Sequence, residues 1–392
     1  MDKIINLGIP HVGELIFESI DTDGLVKCLK VSETWKILAE NVLFKRWRER
    51  IFEACISGKV EVMKILLERL DYENNEWNVS RDDYGYTPYM VACVLGHENL
   101  VELFLEHYLD RNIDLNAKDE EGWTGFMAAC NEGRANIVKL LLDHTDQKID
   151  LNERDSYGET AFIIACSRGQ KDVVKLLLEH SDRIDLNRRK NYGKTAFQMA
   201  CNGGHKDVVE LLLDSSVDIE LNARDEDGTT ALMMACNEGN KDVVKLLLDR
   251  SEGNIELNVQ EINGETAFII ACQEGHKDIV KLFLDPSVKN IDFNAIEQNG
   301  KTAFTLACKN GFKDIVKLLL DNSDRNIDLN ATNTKGLTGF MVACFDGHKD
   351  VVQLLLDHSD KIELNAKDED GFTAFMGICH YGQNDFVQML LE

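Results

Sequence analysis

Apolar residues recur along this chain in paired runs, each the length of a short helix. In the stretch Gly158–Tyr192 the first run is Ala161–Ser167 (AFIIACS) and the second is Lys171–His180 (KDVVKLLLEH). Val173, Val174, Leu176, Leu177 and Leu178 cover most of the second helix, which therefore needs burial between neighbours. Thr160 stands where a side-chain oxygen caps the first helix. Gly169 stands where that helix ends, since glycine enters the left-handed region at no steric cost. Asp172 faces the positive N-terminus of the second helix. The tetrapeptide Ile184–Asn187 (IDLN) reads as a short extended piece, and the polar run after it as a turn.

This unit recurs. Gly-x-Thr starts at Gly85, Gly122, Gly158, Gly193, Gly228, Gly264, Gly300, Gly336 and Gly371, in steps of 37, 36, 35, 35, 36, 36, 36 and 35 residues. A fixed period of this size is the signature of a repeat stack. Two helices this short do not hold together alone in water. Stacked on copies of themselves, they share one continuous core.

The shared marks are D-x-x-G-x-T, A-C-x-x-G-H, V-V-K-L-L-L and D-L-N-A. They resemble the ankyrin repeat over residues 50 to 392. The resemblance implies an all-α solenoid of helix–turn–helix–hairpin units: an atypical first unit at 50–80, where Ala54-Cys55, Gly58, Val62 and Leu66-Leu67 fit the helix pair, and nine Gly-x-Thr units over 81–392. The family's Thr-Pro-Leu-His start survives only as Thr87-Pro88-Tyr89-Met90; elsewhere alanine or glycine replaces proline, as in Thr160-Ala161 and Thr124-Gly125. The histidine slot holds Met127, Ile163, Gln198, Met233, Ile269, Thr305, Met341 and Met376, so each unit is expected to lose a hydrogen bond of roughly 1 kcal/mol. Ser181-Asp182 and its equivalents replace the glycine that closes the second helix, which predicts looser helix ends.

Charge and cysteine usage narrow the function. The formal net charge of −26 argues against nucleic acid or an anionic membrane surface as partner. No run of about 18 apolar residues predicts a membrane span, and MDKIINLGIP has no long apolar region of the secretory kind. Ten of the eleven cysteines, from Cys55 to Cys379, occupy one position of successive first helices. Helices packed about 8–10 Å apart hold such residues too far apart for a disulfide, so they read as small buried thiols and imply an intracellular home, cytoplasmic or nuclear. Phosphate loop, HExxH and nucleophile elbow are all missing, and the ten histidines are scattered along the chain. The chain reads as a non-enzyme with no cofactor and no metal site.

Residues 1–49 do not carry the period. Ile9-Pro10, Ile20-Asp21, Leu25-Val26 and Val31-Ser32-x-x-Trp35 resemble the F-box, within a segment that reads as three short helices. That resemblance implies docking onto the Skp adaptor of a cullin–RING ubiquitin ligase through Pro10, Leu15, Ile20, Leu25, Val31 and Trp35. The repeats would then hold the ligase's target. In the competing reading the segment is a helical cap, and the chain an ankyrin scaffold or effector with no ligase role.

Repeat positions that vary between copies can carry specificity. Around the glycines these include Tyr84, Tyr86, Trp123 and Tyr157, followed by Arg188, Arg189, Lys190, Tyr192 and Lys194 beside Arg168. Aromatic and arginine side chains dominate interface hot spots. The expectation is a target protein lying along Tyr84–Lys194, with an acidic segment over the basic residues. The IDLN asparagines, Asn116 to Asn365, resemble those that an oxygen-dependent hydroxylase modifies in some ankyrin repeats. Their simpler reading is a hydrogen bond within their own turn.

Overall fold

The computed structural model describes residues 46–69, 81–82, 84–107, 109, 113–144, 149–250, 254–380 and 386–387. Pro10, Leu15, Ile20, Leu25, Val31 and Trp35 lie outside the described residues. Regular structure among those described is helical, with a single isolated bridge between Thr332 and Thr338. None of their helices is long and apolar enough to cross a membrane.

The chain divides into two compact units, Met1–Ser156 and Tyr157–Glu392. In the first unit a helix over 46–56 is followed by Val60–Arg69; Pro88–Leu95 pairs with Glu98–His107, and Gly125–Asn131 with Ala135–His144. In the second unit the pairs begin with Ala161–Ser167 and Lys171–Glu179, and the last described first helix is Ala374–His380. Within each unit, first helices stack on first helices and second helices on second helices.

Local chemistry sets the helix ends. Thr160 Oγ1 accepts the Ile163 N–H, and Thr87, Thr124, Thr195, Thr230, Thr266, Thr302 and Thr338 repeat that cap. Gly169 closes the first helix at φ 70°. Glycine at the first helical position has a packing reason. A Cβ on Gly125 would stand 2.7 Å from the Tyr89 ring, and one on Gly339 3.0 Å from the Phe304 ring. The small residue lets the preceding repeat keep a large aromatic beneath it.

Val173, Val174 and Leu177 are buried, whereas Leu176 and Leu178 are half-buried. The ten described cysteines carry free thiols, nine buried and Cys379 exposed. Burial pushes the Cys93 and Cys344 thiols up to about 12, so neither supplies a thiolate near neutral pH.

Two expectations need correction. The IDLN tetrapeptide is a turn, not an extended piece. Its own aspartate folds it: Asp150, Asp292 and Asp328 accept the N–H of Asn152, Asn294 and Asn330 at 2.9, 3.0 and 2.9 Å. Three of the described second helices also end tied rather than loose. His180 Nδ1 donates to the Leu176 carbonyl at 2.9 Å, His358 Nδ1 to Leu354 at 2.8 Å and Asn322 Nδ2 to Leu318 at 2.8 Å. These side chains satisfy carbonyls that a helix end leaves open.

Candidate functional site

The candidate site is built on the turn that precedes each first helix. One side-chain oxygen organises it by accepting two N–H groups, two and four residues further on. Asp82 takes those of Tyr84 and Tyr86, Asp119 those of Glu121 and Trp123, and Asp225 those of Asp227 and Thr229. Glu261, Glu297, Asn333 and Asp368 do the same in their own turns. Burial alone would raise the Glu297 carboxyl, but the N–H groups of Lys301 and Asn299 outweigh it and hold the carboxyl below its ordinary range.

In the second unit each turn is pinned to the next by its tip. The tip carbonyls of Tyr157, Tyr192, Asp227, Asn263, Asn299 and Lys335 accept from Asn191, Glu226, Ile262, Gln298, Thr334 and Glu369, at 2.7–3.2 Å. Tip side chains of adjacent repeats are therefore held in register. Tyr157 is 57% exposed and Tyr192 72% exposed on neighbouring tips, whereas the core aromatics Phe162, Phe197 and Phe268 are at most 2% exposed. Ile262 and Ile296 extend the exposed apolar set further along. The sequence reading missed both, although isoleucine in a polar turn run is itself the signal.

The basic residues are only partly available. Arg189 donates to Glu220 Oε2 at 2.8 Å and to the carbonyls of Gly193 and Arg224 at 3.1 and 2.6 Å. Lys190 pairs with Glu159, both side chains mostly covered. Arg188 lies 3.6 Å from Asp185. Arg168 is exposed at the end of its first helix, and Lys194 is half-buried. Glu220 and Glu159 sit about one repeat away along the chain, where the sequence gives no cue to pairing, and Asp185 stands three residues before Arg188.

The first unit presents a different tip surface. Tyr84 is exposed, its ring 6.3 Å from that of half-buried Tyr86. Burial, then Asp119, Asp82, Glu121 and Glu132, raises the Tyr86 hydroxyl above its ordinary range. That tip is acidic. Trp123 is half-buried, so less of its indole is free than the sequence suggests.

Behind the tips two ladders lock repeat to repeat. The IDLN asparagine reaches the next repeat rather than its own turn. Asn258 Nδ2 donates to the Asn290 carbonyl at 2.6 Å, and Asn258 Oδ1 accepts the Asp292 N–H at 2.9 Å. Asn187, Asn222, Asn294 and Asn330 repeat the pair of bonds. The second ladder uses the residue after Gly at the first helix's end. His205 Nε2 donates to the Ser167 carbonyl at 2.7 Å, with His97, His276 and His348 alike in their repeats. Asn240 Nδ2 and Arg134 Nε fill the same role.

The lost histidine slot is partly restored by Thr305, whose Oγ1 lies 3.2 Å from Thr302 Oγ1, and more fully by Gln198. Gln198 is fully buried; its Oε1 accepts the Thr195 N–H at 2.8 Å, and its Nε2 donates to the carbonyls of Ala223 and Thr229 at 3.0 and 2.8 Å.

Helix pairs stacked in series, registered turn tips and residue ladders define a repeat protein built to present a surface. The sequence model for ankyrin repeats (3 copies) matches residues 24–119, 107–190, 182–261, 253–333 and 323–392. The chain belongs to the ankyrin-repeat family. A search of curated proteins returns no match. Ankyrin repeats make the chain a protein–protein interaction module.

Proposed function

We propose that the registered turn tips grip a target protein. In the second unit Tyr157, Tyr192, Lys194 and Arg168 make the principal contacts, with Arg188 and Arg189 beside them. In the first unit Tyr84, Tyr86 and Trp123 offer an acidic aromatic tip. The observation that carries this reading is the pair Tyr157 and Tyr192. Two large aromatics stand in solvent on adjacent tips held together by the 3.0 Å bond from Asn191 N–H to the Tyr157 carbonyl. A rigid aromatic offers contact area at small entropic cost. No covalent step is assigned to the chain.

The test is the double substitution Tyr157→Ala, Tyr192→Ala. Target capture is expected to fall at least about ten-fold, a loss of roughly 1.4 kcal/mol, with circular dichroism unchanged. Capture at parental strength would contradict the reading.

We further infer that the N-terminal segment recruits the Skp adaptor, which makes the chain a substrate receptor of a cullin–RING ubiquitin ligase. The support is the sequence likeness around Pro10, Leu15, Ile20, Leu25, Val31 and Trp35. Tethering would raise the target's effective concentration at the ligase. One finding favours the competing scaffold reading: the ankyrin match begins at residue 24 and takes in Leu25, Val31 and Trp35. Leu25→Ala with Trp35→Ala is expected to abolish Skp capture while helicity stays intact. If the parent chain captures no Skp, the scaffold reading stands.

A further inference from the structure

The exposed tyrosines of the two units stand in opposite electrostatic settings. In the second unit Arg188, Arg189 and Lys194 flank Tyr192 along the chain. In the first unit Tyr84 and Tyr86 stand among carboxylates. Tyr84 is 77% exposed, and its ring lies 6.3 Å from that of Tyr86 at an interplanar angle of 35°. The backbone under the pair is fixed: Asp82 Oδ1 accepts both tyrosine N–H groups at 2.9 Å, and Gly85 N–H closes the turn on the Asp82 carbonyl at 3.2 Å. After burial, the charges of Asp119, Asp82, Glu121 and Glu132 raise the Tyr86 hydroxyl, so four carboxylates act on one ring. Cations close to them in sequence are engaged elsewhere. Lys118 pairs with Glu153, Arg134 Nε donates to the Val94 carbonyl at 2.9 Å, and Arg81 has its Nη1 buried. Of the ion pairs among the described residues, none takes one of these four carboxylates.

We propose that this tip takes the guanidinium of an arginine from a basic segment of the target, laid on the Tyr84 and Tyr86 rings. The face of a tyrosine ring attracts a cation, and carboxylates around the ring add to the attraction. Arginine suits the place better than lysine, because its planar group stacks on aromatic faces and is more weakly hydrated. Little ordering is left for binding to supply, since one aspartate already holds the backbone of both tyrosines. The proposal rests on the tips being the binding face and names the chemistry of the partner at the first unit.

The test uses a labelled peptide of three Gly-Arg pairs and its citrulline counterpart, which keeps the shape and loses the charge, with the full chain at physiological salt. The net charge of −26 attracts any cation, so the deciding comparison is between variants of equal charge. Tyr84→Leu and Tyr157→Leu each remove one exposed ring and no charge, and Tyr84→Phe keeps the ring. The arginine peptide is expected to bind the parent and to shift the Tyr84 and Tyr86 amide resonances. Tyr84→Leu should bind it at least about three-fold more weakly, with its melting temperature unchanged because the N–H bond to Asp82 stays. Tyr84→Phe and Tyr157→Leu should bind it as the parent does, and the citrulline peptide should not bind. No binding by the parent, equal affinity of Tyr84→Leu and Tyr157→Leu, loss of binding in Tyr84→Phe as deep as in Tyr84→Leu, or equal binding of the citrulline peptide would each overturn the proposal. Failure of the tip reading is a separate result: it appears as unaltered target capture by the Tyr157, Tyr192 double variant, whatever the arginine peptide does.

Discussion

Asn258 carries two bonds into the following repeat, to the Asn290 carbonyl and from the Asp292 N–H. Replacing it by alanine leaves both backbone groups without that partner in a turn that is largely solvated. Asn258→Ala is therefore expected to cost about 1–2 kcal/mol, read as a fall in the denaturant midpoint with little change in slope. A change within error would show that the ladder contributes nothing net. Gln198 raises the stakes because its side chain is fully buried. Gln198→Met imitates Met233 at the equivalent place, but strands the Thr195 N–H and the Ala223 carbonyl and leaves the Thr229 carbonyl only the Asp225 N–H. The expected loss is about 2–3 kcal/mol, against under about 1.5 kcal/mol for the volume-conserving Met233→Leu. Equal losses would mean that the glutamine bonds are matched by apolar burial. Bonds of this reach are poorly legible in a sequence, because the acceptor carbonyl belongs to the neighbouring copy. One signal was present: the IDLN aspartate already closes the turn, which leaves the asparagine side chain free for other use.

The helix pair was the most legible element. Ala161–Ser167 has the expected bounds because its cap, Thr160, and its stop, Gly169, are both local. The second helix ends at Glu179, one residue short, since His180 turns its ring back onto the helix. The turn was less legible, as its conformation hangs on one bracket side chain and on the adjoining tip. Glu265 shows the electrostatic side of that packing. Burial, followed by the charges of Glu261, Glu297 and Glu274, raises its carboxyl above the ordinary value. A raised carboxyl destabilises the folded chain when ionised, and this cost fades as pH falls through the folded value toward the unfolded one, about 4.3. Glu265→Gln should therefore raise Tm near pH 7, with the gain shrinking as the pH approaches that value. A gain independent of pH would assign the effect to packing instead. Glu297 has the opposite sign: its lowered carboxyl stabilises the fold above the ordinary range, and that contribution is lost in acid.

At the scale of the whole molecule, repetition determines what varies and what does not. Core positions such as Cys166, Cys201 and Cys236 are the same in every copy and carry no message to a partner. Tip residues differ from copy to copy, yet stand on a frame that fixes their spacing. Of the aromatics that the sequence singled out, Tyr84, Tyr157 and Tyr192 are exposed on their turns and Tyr86 and Trp123 half-buried, while the basic residues are less available than the sequence suggests, because ion pairs such as Arg189 with Glu220 form only when copies meet. The measurement that tests the central claim most directly is site-specific photo-crosslinking to the captured target. A benzophenone side chain replaces Tyr192 on the tip in one variant and Lys175, exposed on the second helix, in the other. The account predicts a covalent adduct with the target from the tip variant and none from the helix variant. An adduct from position 175 with none from position 192 would contradict it.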